Sequence, residues 1–304
     1  MPQNFDFPNV FRPLNMSLWY VHRPVAYSRS HAVGLLVPDF TDPFFAELIP
    51  AIEERLGGEN FMTIVGNTAE DPDKEERLLR KMQEFPPDGI LICPVVGSEF
   101  LTRIRFLGGR LAMVAFGRRA LGLDYVGVDE AEGMKLAMEH LYHVGHRRVA
   151  FVGGDLNASP ARDRIEGYQL ALAGLGLRFD PALVIPSAPT RRGGHDSAQK
   201  LLRMENHPSA ALCFNDLVAL GVMKALQLSD VKVGVDFGLV GFNNIPDAGQ
   251  SLPGLTTIDS LPRRLGETAA ELLIRRIERR DSAIQTVILQ PRLIVRESSL
   301  WVQR

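Results

Sequence analysis

The stretch VGVDEAEGMKLAMEHLYHVGHRRVAFVGG, residues 126–154, decides the fold class of this chain. An apolar run over 125–128 is followed by apolar residues at helical spacing over 130–144, and a second apolar run covers 148–152. Strands that are apolar throughout are buried on both faces, and a helix between two such strands is the usual crossover of a parallel pair. The stretch therefore predicts a β-α-β unit.

The same alternation continues on both sides of this unit. Further strands are predicted at 32–37, 61–65, 89–95, 111–115, 183–185, 210–214 and 238–242, and further helices at 43–57, 72–85, 98–107, 160–175, 191–205, 215–227 and 262–280. This pattern predicts an α/β fold with parallel sheets that are covered by helices. The first 30 residues have no sustained period and are predicted to form an irregular arm. A chain of 304 residues is near the size at which one core divides into two.

Composition excludes several classes of protein. The 34 Lys and Arg against 36 Asp and Glu give a net charge of −2, so no global positive field attracts the chain to nucleic acid. The chain has no apolar run long enough to span a bilayer and no recognisable secretory signal. Its two cysteines, Cys93 and Cys213, lie in apolar runs, which indicates buried thiols in a reducing compartment. We therefore expect a cytoplasmic protein without a membrane segment.

The motifs of common enzymes are missing. The first strand is followed by Pro38–Asp42, without the glycines of a dinucleotide site or a phosphate loop, and the chain has no G-x-S-x-G. His140, His143 and His146 are spaced by three and could hold zinc if they converged. Histidines at the carboxyl end of a helix also suit its negative dipole. We favour this second interpretation and expect no metal, no cofactor and no catalytic activity.

Four segments in order resemble the effector-binding core of the LacI/GalR family of transcriptional regulators. They are 31–54, 126–154, 211–226 and 239–277, closed by PRLIVRESS at 291–299. The resemblance implies the periplasmic-binding-protein type I fold: two Rossmann-like lobes with parallel sheets, joined by three crossovers, with a small molecule bound between them. It places 31–145 plus 262–283 in the first lobe and 146–259 plus 287–304 in the second. The chain would cross near Gly145, near 260–262 and near 283–287.

The resemblance also proposes residues for the cleft. Phe44 and Phe45 match the family segment that forms one wall, although a hydrophobic staple would explain them equally well. Arg164, in SPARDRIEGYQLAL (159–172), matches the position whose guanidinium holds ligand hydroxyls or a carboxylate. Asn215 matches an amide that faces the ligand, and Asp216 matches a carboxylate that caps the following helix. Both could instead be caps.

Two further residues complete the predicted site. Asn243 stands where sugar-binding members commonly have the first aspartate of Gly-[Phe/Tyr]-Asp-Asp, and it replaces a charged acceptor with a neutral amide. Asp129 follows a strand and could reach the cleft from the first lobe, although a carboxylate at a helix start is an equally good explanation.

The resemblance implies a ligand-sensing transcriptional regulator, or its effector domain, that binds a small polar molecule, most plausibly a sugar. Residues 1–30 do not match the family's helix-turn-helix, so DNA contact is expected only through a segment absent from this chain. The alternative is an extracytoplasmic solute-binding protein of the same fold, which would need an export signal. The first-lobe helix at 44–56 carries more apolar positions than one buried stripe needs, and family members pair through this lobe. We therefore expect a homodimer.

Overall fold

A computed structural model describes residues 29–98, 101, 111–279 and 282–300, and the structural statements below concern these residues. The predicted arm lies outside them except for residues 29 and 30, and so does most of the predicted helix 98–107. The strands are β1 (Ala32–Val37), β2 (Met62–Asn67), β3 (Gly89–Ile92), β4 (Ala112–Phe116), β5 (Asp124–Val128), β6 (Val149–Val152), β7 (Val184–Ile185), β8 (Ala210–Cys213), β9 (Gly238–Asn243), β10 (Thr256–Asp259), β11 (Thr286–Leu289) and β12 (Arg292–Ile294). The helices are α1 (Pro43–Gly57), α2 (Pro72–Glu84), α3 (Glu130–His143), α4 (Ser159–Gly174), α5 (Arg191–Leu202), α6 (Asp216–Leu228), α7 (Pro246–Gln250) and α8 (Pro262–Glu278).

The strands form two six-stranded sheets. The first has the order β11-β5-β4-β3-β1-β2, and all of its pairs are parallel. The second has the order β12-β10-β9-β8-β6-β7, in which only β12 runs antiparallel to its neighbour. The predicted α/β fold with two parallel-sheet lobes is confirmed.

Local sequence explains why the first two helices begin where they do. The side chain of Asp42 accepts a hydrogen bond of 2.9 Å from the backbone N–H of Phe44, and Pro43 occupies the first turn. Asp71 and Pro72 repeat this arrangement at α2. A capping carboxylate satisfies an otherwise unpaired N–H, and proline loses no hydrogen bond at this position. The bounds of α1 agree with those predicted from the sequence.

The first crossing between the sheets differs from the predicted one. We expected it near Gly145, but α3 packs on α4 and on β8, β10 and β12 of the second sheet. Its apolar residues, including Met134 and Leu141, share a core with Phe151 and Phe242. The crossing therefore lies at Asp129, before the helix. An amphipathic helix suits either sheet, so its periodicity could not reveal this.

The other two crossings flank α8 and β11. Helix α8 packs on α1 and on β3, β4 and β5, so the chain returns to the first lobe at 260–261. The last crossing was expected at 283–287, but β11 still pairs with β5 of the first sheet. The chain crosses at Gln290 and Pro291 and then adds β12 to the second sheet. We call 29–128 with 262–289 the first lobe and 130–259 with 292–300 the second lobe.

The packing of α1 also corrects one sequence argument. The buried residues of α1, which include Phe45, Leu48 and Ile52, share one core with strands of the first sheet and with Leu265 and Leu273 of α8. The wide apolar face of α1 is therefore covered within the protomer, by a sheet and a second helix. It does not by itself indicate a dimer surface.

Two expectations from composition can be compared with the described part of the chain. Cys93 and Cys213 are both buried and free, as predicted, and burial raises the pKa of the Cys93 thiol to about 12. In this part of the chain, none of the helices combines the length and the apolar character that a bilayer crossing requires.

Candidate functional site

A cavity of about 410 Å³ lies between the two lobes. Its first-lobe wall follows the carboxyl ends of β3 and β4 and includes Val95, Arg118 and Arg119, while its second-lobe wall includes Ser159 and Arg162 at the start of α4. Ligands of open α/β sheets bind beyond the carboxyl ends of the strands, and this volume suits a small molecule. A second cavity, of about 460 Å³, lies between α5 and α6 and is lined by the second lobe alone.

Arg164 lies on α4 and is nearly sealed within the second lobe, with 5% of its surface exposed. Its guanidinium lies 3.7 Å from the ring centre of Phe242 and 4.5 Å from that of Phe214. Its Nε donates to Glu130 Oε2 at 2.7 Å, and its Nη1 donates to the backbone carbonyl of Phe214. Among the described residues, none forms a hydrogen bond with Nη2, and this atom is not completely shielded from solvent. Arg164 thus keeps both N–H groups of Nη2 for a further partner.

Glu130 is a residue that the sequence reasoning missed. It is the first residue of α3 and is 7% exposed. Burial raises the pKa of its carboxyl group, and the adjacent Arg164 guanidinium opposes that rise. A charge-assisted hydrogen bond to a guanidinium favours the ionised form. Its signal in the sequence was a second carboxylate just after a buried strand, where we considered Asp129.

Asn215, and not Asp216, caps α6, which is the alternative that the sequence left open for Asn215. Asn215 caps α6, because its Oδ1 accepts from Val218 N at 2.9 Å while its Nδ2 donates to Pro189 O at 3.2 Å. The Asp216 carboxylate instead accepts from Thr257 Oγ1 at 2.5 Å and from Ile245 N at 2.8 Å. It therefore supports the turn after β9 from inside the lobe. Burial raises the pKa of Asp216 to about 7.

Asn243 lies on that turn, at the end of β9. Its φ of 108° and the φ of 59° at Asn244 lie in a region that asparagine tolerates better than most residues. Asn243 Oδ1 accepts a long contact of 3.4 Å from Ser260 Oγ, and none of the described residues accepts from its Nδ2. Asn244 is held by Arg296, whose Nη2 donates to Asn244 Oδ1 at 2.8 Å. The amide of Asn243 thus retains a donor.

The remaining three predicted residues have structural contacts. Phe45 is buried in the first-lobe core, and its ring meets the half-buried ring of Phe44 edge-on at 5.1 Å between centres. Asp129 caps α3 by accepting from Glu132 N at 3.0 Å. None of the six predicted residues lines the 410 Å³ cavity, whose second-lobe wall lies two residues before Arg164 on the same helix.

Arg119 links the two lobes across this cavity. Its Nη2 donates to Asp163 Oδ1 at 2.5 Å, and its backbone N–H donates to Ser159 Oγ at 3.2 Å. Close to these groups, burial raises the pKa of Asp42 in the first lobe, and the charge of Arg164 in the second lobe opposes the rise. The start of α4 therefore faces charged groups of the first lobe.

The three histidines have separate surroundings. His140 Nε2 lies 2.7 Å from Ser299 Oγ, and His146 Nδ1 lies 2.9 Å from Ser209 Oγ. Burial lowers the pKa of His146 to about 4. Within the described ranges, no three side chains of metal-ligating type form a group that could hold an ion. The contacts of His140 and His146 are thus with serine hydroxyl groups of other segments.

Comparisons with known proteins agree with this geometry. Residues 138–299 match the family model described as periplasmic binding protein-like domain. The HTH-type transcriptional repressor PurR of Aliivibrio salmonicida is 30% identical over 288 residues, which are 94% of this chain and 86% of the relative. The transcriptional regulator CelR in complex with cellobiose superimposes with a TM-score of 0.83 at 26% identity, over 90% of this chain and 86% of CelR. A ribose-bound LacI family regulator from Enterococcus faecium superimposes with a TM-score of 0.77 at 28% identity, over 88% of this chain and 98% of that structure. The chain belongs to the LacI family of transcriptional regulators.

Proposed function

We propose that this ligand-sensing regulator binds its effector between the two lobes and that effector binding changes its affinity for DNA. The observation that carries the proposal is the 410 Å³ inter-lobe cavity at the start of α4, the helix that also carries Arg164, whose Nη2 has no partner among the described residues. An effector that contacts both lobes stabilises one arrangement of the lobes over another. A shift of this kind is all that coupling to a distant site requires.

A sugar or sugar derivative is the effector class that we favour. The donors near the cleft, Arg164 Nη2 and Asn243 Nδ2, suit the oxygen atoms of a polyol. The rings of Phe44 and of the exposed Phe40 could stack on the apolar face of a sugar from the first lobe. Cellobiose and ribose are bound in the similar structures reported above.

Calorimetric titration with a panel of neutral mono- and disaccharides that includes ribose and cellobiose tests this proposal. At least one sugar should bind with a dissociation constant below about 1 mM, and Asn243→Ala should weaken that binding about tenfold, because its partner would lose a buried hydrogen bond. Exposed Asn206 supplies the matched control, Asn206→Ala, which should bind like the wild type. Failure of every sugar in the panel would exclude this effector class.

A homodimer remains our proposal, with a different surface from the one suggested by the sequence. Strand β2 is an edge strand of the first sheet, and Met62, Ile64 and Val65 on it are 63%, 46% and 39% exposed. An edge strand with exposed apolar side chains is a pairing surface unless something covers it. A two-fold axis beside β2 would bury these residues against their copies.

We further propose that the protein works in the cytoplasm and is not an enzyme. The relatives are transcriptional repressors, and the described residues that line the cleft include no histidine, cysteine, lysine or carboxylate that could act as a nucleophile or base. The alternative of an extracytoplasmic solute-binding protein has less support, because the similar proteins of known role act on transcription. Fluorescence anisotropy tests the regulatory role on a fusion of this chain to a LacI-family helix-turn-helix, with DNA that this helix-turn-helix recognises, and the effector should change the measured affinity.

A further inference from the structure

Three arginines at or beside the cleft are matched by carboxylates of the protein itself, whereas Arg162 on the second-lobe wall donates to the backbone carbonyl of Asn157. Arg164 bonds to Glu130 at 2.7 Å, and Arg119 bonds to Asp163 at 2.5 Å. Arg118 forms a two-pronged pair with Glu70, through contacts of 2.6 and 2.7 Å. Three guanidinium groups at the cleft therefore carry hydrogen-bond donors without an unbalanced positive charge.

The Arg164–Glu130 pair is the least accessible to solvent of the three. The two side chains are 6% and 8% exposed, whereas Arg119 is 50% exposed and Glu70 is 44% exposed. Solvent screens the charges of the exposed pairs, but it screens a buried pair much less. The charge of Glu130 consequently has a larger effect on a ligand beside Arg164 than the other carboxylates have.

Geometry keeps Glu130 on one side of the guanidinium. Glu130 accepts from Nε and the Phe214 carbonyl accepts from Nη1, while the rings of Phe214 and Phe242 pack against the guanidinium. Within the described ranges of the chain, no residue accepts a hydrogen bond from Nη2. A ligand that reaches Nη2 would meet a hydrogen-bond donor whose positive charge is already compensated. Such a donor suits a hydroxyl group and gives an anion little net attraction.

We propose that Glu130 determines the charge class of the effector: by neutralising Arg164 from within the second lobe, it makes the cleft select uncharged, hydroxyl-bearing ligands over carboxylates and phosphates. This inference rests on the inter-lobe effector site proposed above. It makes Glu130 a specificity-determining residue that acts through Arg164, without touching the ligand itself.

The variant Glu130→Gln tests this role with inorganic sulfate as the probe. Glutamine has the same size as glutamate and can still accept from Arg164 Nε. The variant therefore removes the negative charge that compensates Arg164 while it keeps the hydrogen bond. Glu166→Gln is the matched control, because Glu166 is an exposed glutamate on the helix that carries Arg164. Sulfate is titrated calorimetrically at constant ionic strength, and circular dichroism verifies the fold of each variant.

We expect Glu130→Gln to bind sulfate at least tenfold more tightly than the wild type and Glu166→Gln do. Equal sulfate affinity in all three proteins would overturn the role of Glu130. If Glu130→Gln does not fold, the sulfate titration of the wild type replaces this comparison. The wild type should then show no saturable sulfate binding at Arg164. Saturable binding that is lost in Arg164→Gln would overturn the role of Glu130.

Matched ligand pairs separate this inference from the sugar assignment. Wild-type protein should bind a neutral sugar at least tenfold more tightly than its phosphate ester, with ribose and ribose 5-phosphate as the first pair. Tighter binding of the phosphate ester would overturn the role of Glu130 while it supports the inter-lobe site. If no sugar in any pair binds, the sugar assignment fails, and the sulfate comparison still decides the role of Glu130.

Discussion

Arg164, which we propose for the effector site, should also contribute to stability. Its removal would leave the Glu130 carboxylate buried without a cation, and Glu130 is 7% exposed. Breaking a buried pair from one side typically costs about 3–5 kcal/mol. Arg164→Ala should lower the free energy of unfolding by this amount in urea denaturation. The control Arg178→Ala, at an exposed position, should change it by less than about 0.5 kcal/mol. A loss below about 1 kcal/mol for Arg164→Ala would contradict the buried pair.

Asp216 should give the protein a dependence of stability on pH. Burial raises its pKa from 3.8 to about 7, so the folded state retains a proton that the unfolded state releases above about pH 4. The stability supplied by this proton is fully present below about pH 4 and is lost as the pH rises to about 7, by an amount on the order of 4 kcal/mol.

Asp216→Asn removes this titration and supplies the test. The variant should be less stable overall. The two carboxylate oxygens of Asp216 accept from Thr257 and Ile245, and asparagine replaces one of them with an NH₂ group, which cannot accept a hydrogen bond. The informative quantity is the difference in unfolding free energy between wild type and variant, measured from pH 4 to 8. The advantage of the wild type should shrink as the pH rises to about 7. A difference that is constant over this range would show that Asp216 does not titrate there.

The site residues show what sequence could and could not predict at this scale. The resemblance identified Arg164, but its partner Glu130 lies 34 positions earlier on another helix, and only the packing of α3 against α4 brings them together. The pair Asn215–Asp216 is adjacent in sequence, and either residue could have capped α6. Thr257 and the Ile245 N–H lie inside the lobe and need an acceptor there. Asp216 supplies that acceptor, which leaves Asn215 as the cap of α6.

Among secondary-structure elements, α5 and α6 are held together by glycines. A Cβ at Gly221 would lie 1.9 Å from Arg191 O, and a Cβ at Gly194 would lie 2.0 Å from Val218 O. The two helices can approach this closely only if both positions lack a side chain. Gly221→Ala should push them apart and cost more than about 2 kcal/mol of unfolding free energy, as overpacking in a core does.

Gly174→Ala is the matched control for that substitution. Gly174 ends α4, and a Cβ there would meet no atom within 4 Å. Alanine has the higher helix propensity, so this variant should be neutral or up to about 1 kcal/mol more stable. Thermal unfolding of both variants checks the pair. Similar destabilisation in the two would mean that helix contact is not the cause.

The elements that the sequence missed are polar or lie at sheet edges. Strand β10 begins with Thr256 and Thr257, both completely buried, whose hydroxyl groups bond to Ser299 and Asp216. Two threonines give little hydrophobic signal, although the strand lies inside the second sheet, between β12 and β9. Strands β11 and β12 are edge strands with exposed residues, so they lack the continuous apolar run by which the inner strands were recognised.

On the scale of the whole molecule, β2 predicts the state of assembly. Ile64 is 46% exposed on this edge strand, so a lysine there would add charge without disturbing the core. Wild-type protein should behave as a dimer in light scattering at tens of micromolar, and Ile64→Lys should give the 33.7 kDa monomer. The exposed Leu170 of α4 offers the control Leu170→Lys, which should remain dimeric. A wild type that is already monomeric would exclude the homodimer.

The relation between the lobes should depend on Arg119. Its bonds to Asp163 and Ser159 link the start of α4 to the first lobe. Because the Arg119 side chain is 50% exposed, the ion pair should be worth only about 0.2–1 kcal/mol. Its loss should therefore shift the ratio of open to closed lobes by at most about fivefold.

Spin labels at exposed positions Asp73 and Glu205 can report the inter-lobe distance, since the native cysteines are buried and will not compete. Arg119→Ala should move the distance distribution toward longer values, and raised salt should move the wild type in the same direction, because it screens the pair. Arg178→Ala is the control. A distribution for Arg119→Ala that coincides with that of the wild type would show that the ion pair does not hold the lobes together.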